Sequence, residues 1–238
     1  RDVAPSRGLG DVYKRQQLYY VLHYDLNYKT QDIIQCPLFS KQTSWDITSD
    51  EEWQVQQQKE SANMELVQRR MDESPLFSQW TYGQLPILIN PPSTQCTAST
   101  GEKAAMTINF VDQHYMEFFE LKLKEGRIWD NEKDQFAQYK FIINETAKRV
   151  FRIEDITKAT LQTERRLFYT SGMNLNENPP YEIVGVIEDF KMGHLSNPDY
   201  PLAFCFSRAD HTNPLLACIV PGKRREAIKY LEDFCLLY

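Results

Sequence analysis

Ile183-Val184-Gly185-Val186-Ile187 constrains the fold more than any other stretch, because it is the most β-prone run in the chain. Pro179-Pro180 precedes it and the carboxylates Glu188-Asp189 follow it, so it predicts a central strand with a polar exit. Around it the signals are short and mixed. Asp32 to Cys36 predicts a strand closed by Pro37. Ser49 and Glu52 have capping-box spacing and open a helix whose Met64, Val67 and Met71 recur at helical intervals until Pro75 ends it. Gln54 to Gln58 is almost wholly polar, so only the two ends of that helix need a core. Phe77 to Tyr82 predicts a strand, and 83–103, rich in Pro, Ser and Thr, an irregular loop.

Met106 to Val111 predicts another strand. Asp112 then caps a helix through Tyr115, Phe118 and Phe119, which Gly126 breaks. Tyr139 to Ile143 is a strand, after which Asn144 starts a helix with Ala147, Val150 and Phe151 on one face. Residues 171–180 form a polar loop. Pro201 to Phe206 and Leu215 to Val220 are further strands, and Pro221-Gly222 turns the chain into a last helix with Ala227, Leu231 and Phe234 on its buried stripe. Segregated short elements of both kinds predict an α+β fold, with a small β-rich lobe in a larger frame. The strands at 32–36 and 215–220, each beside a helix, are expected to pair in one ferredoxin-like sheet.

At 238 residues the chain is long enough for one large domain or two small ones, and 42% apolar with 25% charged residues is the composition of a globular protein. Its net charge of −6 argues against a nucleic-acid binder, which needs a basic patch. No run approaches the ~20 apolar residues of a membrane-spanning helix. Leu18 to Leu22 is the most lipid-like stretch, and it stops at His23 and Asp25. The two ends are unlike the rest: Gly8 to Gln16 and Cys235 to Tyr238 resemble translated sequencing-adapter read-through. Residues 1–16 and 235–238 are therefore expected to be non-native tails on a chain truncated at both ends.

Catalytic motifs are missing. There is no phosphate-binding G-x-x-x-x-G-K-[ST] loop, no G-x-S-x-G elbow and no H-E-x-x-H, and Gly8-Leu9-Gly10 lies in the suspect head with no strand before it. Cys36, Cys96, Cys205 and Cys218 form no C-x-x-C pair and have no His at ligand spacing. Cys205 and Cys218 fall in apolar runs that suit small buried hydrophobes. Glu188-Asp189, close to His194, is the one acid/base candidate, yet neighbouring residues on a strand point to opposite faces and should not converge. Asn144-Glu145-Thr146 matches a glycosylation sequon, but helix capping explains the Asn equally well. No catalytic, cofactor-binding or metal-binding residue is assigned, and no cofactor is expected.

From Phe110 onward the order of residues becomes specific. Val111-Asp112, Tyr115 and Phe118 lead to Gly126-Arg127. Ile142-Ile143-Asn144-Glu145-Thr146-Ala147 follows, then Tyr181-Glu182-Ile183-Val184-Gly185-Val186-Ile187-Glu188-Asp189-Phe190, Pro201-Leu202-Ala203-Phe204 and Val220-Pro221-Gly222. Over roughly residues 24–234 this resembles the MacB-like periplasmic core domain of FtsX-like ABC transporter permeases, in the versions common in Bacteroides-type bacteria. Thr157 stands before Lys158 where the family usually has Gly, which puts that turn in doubt.

The resemblance implies a porter-like α/β lobe, residues 25–137 and 201–234, and an inserted β-rich lobe, residues 138–200. Residues 17–24 would be the outer end of a truncated transmembrane helix, with Tyr19 and Tyr20 at the membrane interface. It further implies a non-enzymatic domain facing the periplasm from the bacterial inner membrane, coupling ATP hydrolysis to extrusion or mechanical transmission. The implied partners are a cytoplasmic ABC ATPase subunit, a second permease in a homodimer or heterodimer, and a periplasmic adaptor or outer-membrane factor. The loops at 83–103 and 171–180 would serve as hinges or partner contacts. Two rival readings remain: a soluble periplasmic ligand-binding or sensor domain with Trp80 and Trp129 flanking its cleft, and a hydrolase using Glu188, Asp189 and His194.

Overall fold

A computed structural model describes residues 24–37, 50–86, 93–130, 134, 139–165, 167, 178–192, 198–206 and 214–235. Two sheets organise the chain. The first contains β1 (Ile33–Cys36), β2 (Phe77–Tyr82) and β10 (Leu215–Ile219) in the order β1-β10-β2. It is flanked by α1 (Asp50–Glu73) and α4 (Arg224–Cys235). β10 runs antiparallel to both neighbours, with Ile33 opposite Cys218 and Ala217 opposite Trp80. The pairing expected between 32–36 and 215–220 is therefore present, and β1-α1-β2 is a crossover split by a strand from the far end of the sequence.

The second sheet holds β3 (Ser93–Ala98), β4 (Lys103–Val111), β5 (Leu123–Gly126), β6 (Lys140–Asn144), β7 (Thr160–Thr163), β8 (Tyr181–Ile187) and β9 (Leu202–Phe206), in the order β5-β8-β6-β9-β4-β3-β7. A further pairing of β7 with β8, Leu161 opposite Tyr181, closes six of these strands into a ring, with β5 flanking the far end of β8. The expected central strand is thus the most connected one, bonded to β5, β6 and β7. Two short helices, α2 (Tyr115–Phe118) and α3 (Glu145–Val150), complete the set.

Strand alternation sorts the apolar residues into three layers. On β10, Leu215, Ala217 and Ile219 face a core with Met64, Val67, Met71, Ala227 and Leu231 of the two long helices. Leu216 and Cys218 face the opposite way, into an aromatic core with Tyr115, Phe118, Phe119, Trp129, Phe190 and Phe204. The third core fills the ring: Met106, Phe141, Ile143, Leu161, Tyr181, Ile183 and Cys205 point inward, and Ala147 and Phe151 of and after α3 join them. Phe141 and Tyr181 stack there with ring centroids 4.3 Å apart. Ile142, Phe204 and Ile187 lie on the outer side of the same wall, in the aromatic core. Both β10 and this wall are covered on two faces, which is why their sequences read as continuous apolar runs rather than alternating ones.

Several expectations need correcting. The stretch 83–103 contains β3. Its Ser-Thr-Gln-Cys-Thr-Ala sequence looks like a loop, yet Cys96 and Ala98 are buried and supply the inward face of a strand. β7 likewise escaped notice, because its Thr-Leu-Gln-Thr is four residues long with one large apolar side chain. The helix after Asp112 ends at Phe118 rather than Gly126; Glu120 takes φ +55° and the chain re-enters as β5. Val150 is exposed, so α3 buries Ala147 without it. On α1 the described side chains from Gln54 to Asn63 are exposed, and packing begins at Met64. Only one end of that helix meets a core among the described residues. Phe234, and the tails 1–16 and 236–238, lie outside what is described for side chains.

Gly126 and Gly185 are required by close approach. They are register partners on β5 and β8. A Cβ on Gly126, already at φ +76°, would sit 2.2 Å from the carbonyl oxygen of Val184, and one on Gly185 would sit 2.5 Å from that of Arg127. Gly222, at φ +82°, has open space around it. Gly126→Ala is expected to cost about 3 kcal/mol, from left-handed strain plus backbone overlap, whereas Gly222→Ala costs only the strain, about 1 kcal/mol. Urea unfolding midpoints of the two variants check this ordering.

Candidate functional site

The sequence blocks that carry the family resemblance meet at one place. Asn144 ends β6 and caps α3: its Oδ1 accepts from the backbone N–H of Ala147 at 2.9 Å and of Leu202 at 3.0 Å, and its Nδ2 donates to the carbonyl of Tyr200 at 3.1 Å. Asp189, at the exit of β8, accepts from the Thr146 N–H at 3.0 Å and the Thr146 hydroxyl at 2.7 Å. The Asp189 N–H donates to Glu145 at 3.2 Å, and Asn27 donates to the Asp189 carbonyl at 3.1 Å. Four separate segments are thereby tied together, with Asp189 and Glu145 placing negative charge at the start of α3, where orphan N–H groups favour it.

A second tie lies on β5 and the segment after it. The Arg127 N–H donates to Val184 at 2.9 Å, and the Arg127 guanidinium grips Asp134 through two bonds of 2.6 and 2.7 Å. Lys140 at the start of β6 adds a third cation contact at 2.5 Å. The Asp134 carboxylate is only 1% exposed. Its hydrogen bond to Arg127, aided by Lys140, holds its pKa well below the usual carboxylate range against the opposing effect of burial. Trp129 between them donates to the Lys140 carbonyl at 2.8 Å.

The third tie joins the two sheets. Asp112, where β4 leaves the ring, is buried and accepts from the Thr81 hydroxyl, from the Tyr82 N–H at 3.3 Å and from the His114 N–H at 2.9 Å. Burial raises its pKa, opposed by these hydrogen bonds and by His114. Tyr115 donates to the Gln84 carbonyl at 2.6 Å, and Gly83 donates to Pro214 at 3.1 Å, pairing the ends of β2 and of the segment entering β10.

These contacts dispose of the hydrolase reading as far as the described residues go. Glu188 reaches toward Lys124 at 3.5 Å and Lys122 at 3.9 Å on the β5 side, while its neighbour Asp189 bonds α3. The carboxylates diverge as their strand position requires, and His194 lies outside the described residues. Asn144 is 4% exposed with its side chain fully engaged, so the sequon is a helix cap. Trp80 and Trp129 do not flank one cleft: Trp80 lines a groove at the edge of β2, and Trp129 is buried against Phe206.

Cys205 and Cys218 are buried on strands, as expected, and are free thiols; burial pushes the Cys96 thiol up to about 12. Cys36 is disulfide-bonded. At the turn around Thr157, Asp155 accepts from the Thr157 N–H at 2.9 Å and pairs with Lys158 at 2.8 Å. Among the described residues no cluster of His, Cys, Asp and Glu could hold a metal, and no helix is long and apolar enough to cross a membrane. Sequence reasoning missed Asp134 and Asn27, whose roles depend on loop paths that no local pattern encodes.

Comparison with known proteins gives likenesses of fold alone. No family model matches the chain, and no curated protein matches it. Among solved structures it is similar to the periplasmic region of MacB from Actinobacillus actinomycetemcomitans, at 14% identity and TM-score 0.47, covering 68% of each chain. It is also similar to the extracellular domain of the noncanonic ABC-type transporter YknZ from Gram-positive bacteria, at 12% identity and TM-score 0.46, covering 69% of this chain and 80% of that one. A third likeness is to a domain of a putative permease protein from Porphyromonas gingivalis, at 12% identity and TM-score 0.46, covering 68% and 72%.

Adjacent carboxylates should behave very differently. Asp189→Ala leaves the Thr146 N–H and hydroxyl without their acceptor and is expected to cost about 2 kcal/mol. Glu188→Ala removes two long surface pairs and should cost no more than about 0.5 kcal/mol, both read from urea midpoints. Asp134→Asn is expected to cost about 3 kcal/mol at pH 7, since it leaves Arg127 and Lys140 facing an uncharged side chain. Because the folded pKa of Asp134 is depressed, its contribution is present above the unfolded value near 3.9 and is lost as pH falls toward the folded one. The gap between wild type and Asp134→Asn should therefore narrow steadily below about pH 4; a constant gap from pH 7 to pH 2 refutes the assignment.

Proposed function

We propose that this chain is the extracytoplasmic core domain of a MacB-like ABC transporter permease, acting as a mechanical part rather than an enzyme. The observation that carries the reading is the convergence of the resemblance-bearing blocks: Gly126-Arg127, Ile143-Asn144-Glu145-Thr146-Ala147, Ile183 to Phe190 and Pro201-Leu202 interlock by hydrogen bonds and glycine contacts at one wall of the ring. Residues spaced so far apart and bonded so specifically are what a shared architecture demands.

In this reading the sheet of β1, β2 and β10 with α1 and α4 is the porter-like lobe, and the β-rich lobe is the closed sheet of residues 93–206, wider than the 138–200 that the family resemblance implies. A cytoplasmic ATPase closes on ATP, the transmembrane helices carry that motion across the inner membrane, and the extracytoplasmic domains of a permease dimer move against each other to extrude a substrate or actuate an adaptor or outer-membrane partner. Such a part needs stiffness, to which the buried ties at Asp112 and Asp134 and the half-buried one at Asp189 contribute.

The test is to recover the native protein from its source with an antibody raised against this chain. The expected result is a longer polypeptide in the inner-membrane fraction that co-purifies with an ABC ATPase and is cut within this domain when protease is added to spheroplasts. A freely soluble polypeptide no longer than this chain refutes the reading.

A further inference from the structure

Among the described residues β2 is an edge strand of the first sheet, bonded to β10 on one side only. Asp112 covers that open edge at Tyr82, whose N–H donates to the carboxylate and whose carbonyl accepts from the Asp112 N–H. Backbone groups alternate in direction along a strand, so those of Trp80, two residues earlier, also point away from β10. Beside them runs a groove of about 270 Å³. Phe77, Ser78, Gln79 and Trp80 all line it. Because successive side chains take opposite faces, four consecutive residues can border one groove only when it follows the edge of the strand.

The walls define what could enter. On one side α1 presents Asp72, whose Oδ1 accepts from the Trp80 indole at 2.9 Å. On the other, α2 presents Glu117 and Phe118. Both carboxylates are exposed and neither forms an ion pair among the described residues, and the exposed His114 also lines the groove. Lys29 does not line the groove; it donates to Gln79 at 3.1 Å and pairs with Glu120 at 3.9 Å. A register shift opposite Cys218 and Ile219 disturbs the lower end of the edge, so the pairing available is short and centred on Trp80.

We propose that this groove binds a basic side chain carried on an extended segment of a partner protein. The segment's backbone pairs with Trp80, and its Arg or Lys lies between Asp72 and Glu117 against the half-buried Trp80 ring. Charge selects the occupant, since an open strand edge alone accepts any extended chain. Aromatic faces beside carboxylates favour a guanidinium or ammonium in particular. The inference is independent of the permease reading, because it uses only the edge, the groove and its charges.

The test uses the full chain and a synthetic peptide of alternating Thr and Val with one central Arg, measured by calorimetry together with amide hydrogen exchange. The Arg peptide is expected to bind and to slow exchange at the Trp80 amide. Replacing its Arg by Glu, or N-methylating the backbone on either side of the Arg, should weaken binding at least about tenfold. Glu117→Lys, an exposed substitution, should weaken it about tenfold while leaving the urea midpoint unchanged. Four outcomes overturn the proposal: no binding of the Arg peptide at millimolar concentration, equal binding of the Glu peptide, undiminished binding to Glu117→Lys, or a Trp80 amide already protected in the free chain through self-association of its β2 edge.

Discussion

The fold depends on one aromatic layer that two sheets share. Tyr115, Phe118 and Phe119 on and after a single turn of helix sit between the face of β10 carrying Leu216 and Cys218 and the wall carrying Ile142, Phe204 and Ile187. Tyr115 packs 4.7 Å from Phe119 and 5.4 Å from Phe204, ring centre to ring centre. A four-residue helix has no stability of its own, so α2 exists because both its neighbours bury it. Each sheet in turn needs it, since without that layer β10 and the ring wall would each expose an apolar face to water.

The polar groups at the margins of this layer set its geometry. Asp112 fixes the end of β2 against the end of β4, and it does so with a carboxylate that burial makes unfavourable to ionise. Three donors aimed at it compensate. Gly83, at φ +149°, lies where a Cβ would strike the Tyr115 ring at 2.7 Å, so the crossing from one sheet toward the other is shaped to the same aromatic side chain. Asp189 and Asn144 act in the same way at the outer end of the wall, converting four chain segments into one unit.

Legibility in the sequence followed burial. Strands buried on both faces, such as β8, β9 and β10, announced themselves as apolar runs, and α1 and α4 through helical spacing. β3 and β7 did not, because their exposed and half-buried positions are Ser, Thr and Gln and Leu161 is the one large side chain among their buried ones, so neither alternation nor bulk marks them. The closure of the ring is invisible locally for the same reason: it depends on Leu161 meeting Tyr181 across a long connection. At the site, the capping role of Asn144 and the divergence of Glu188 from Asp189 follow from elementary strand and helix geometry. Asp189 as the anchor of α3 does not, because its partner Thr146 is 43 residues away.

The aromatic layer also bears on how such a domain could transmit motion. Lobes joined by small polar interfaces rotate readily, whereas a large apolar interface holds them together. Here any rotation of one sheet against the other would part Tyr115 from Gln84, Thr81 from Asp112 and Leu216 from the aromatic cluster at once. Exposing even a few of those rings costs several kcal/mol at ~25 cal/mol per Å², more than thermal fluctuation supplies. Internal hinging at the segment after β2 is therefore opposed by the packing that flanks it. In the proposed permease, displacement would pass through this domain as through one stiff body rather than being taken up between its sheets.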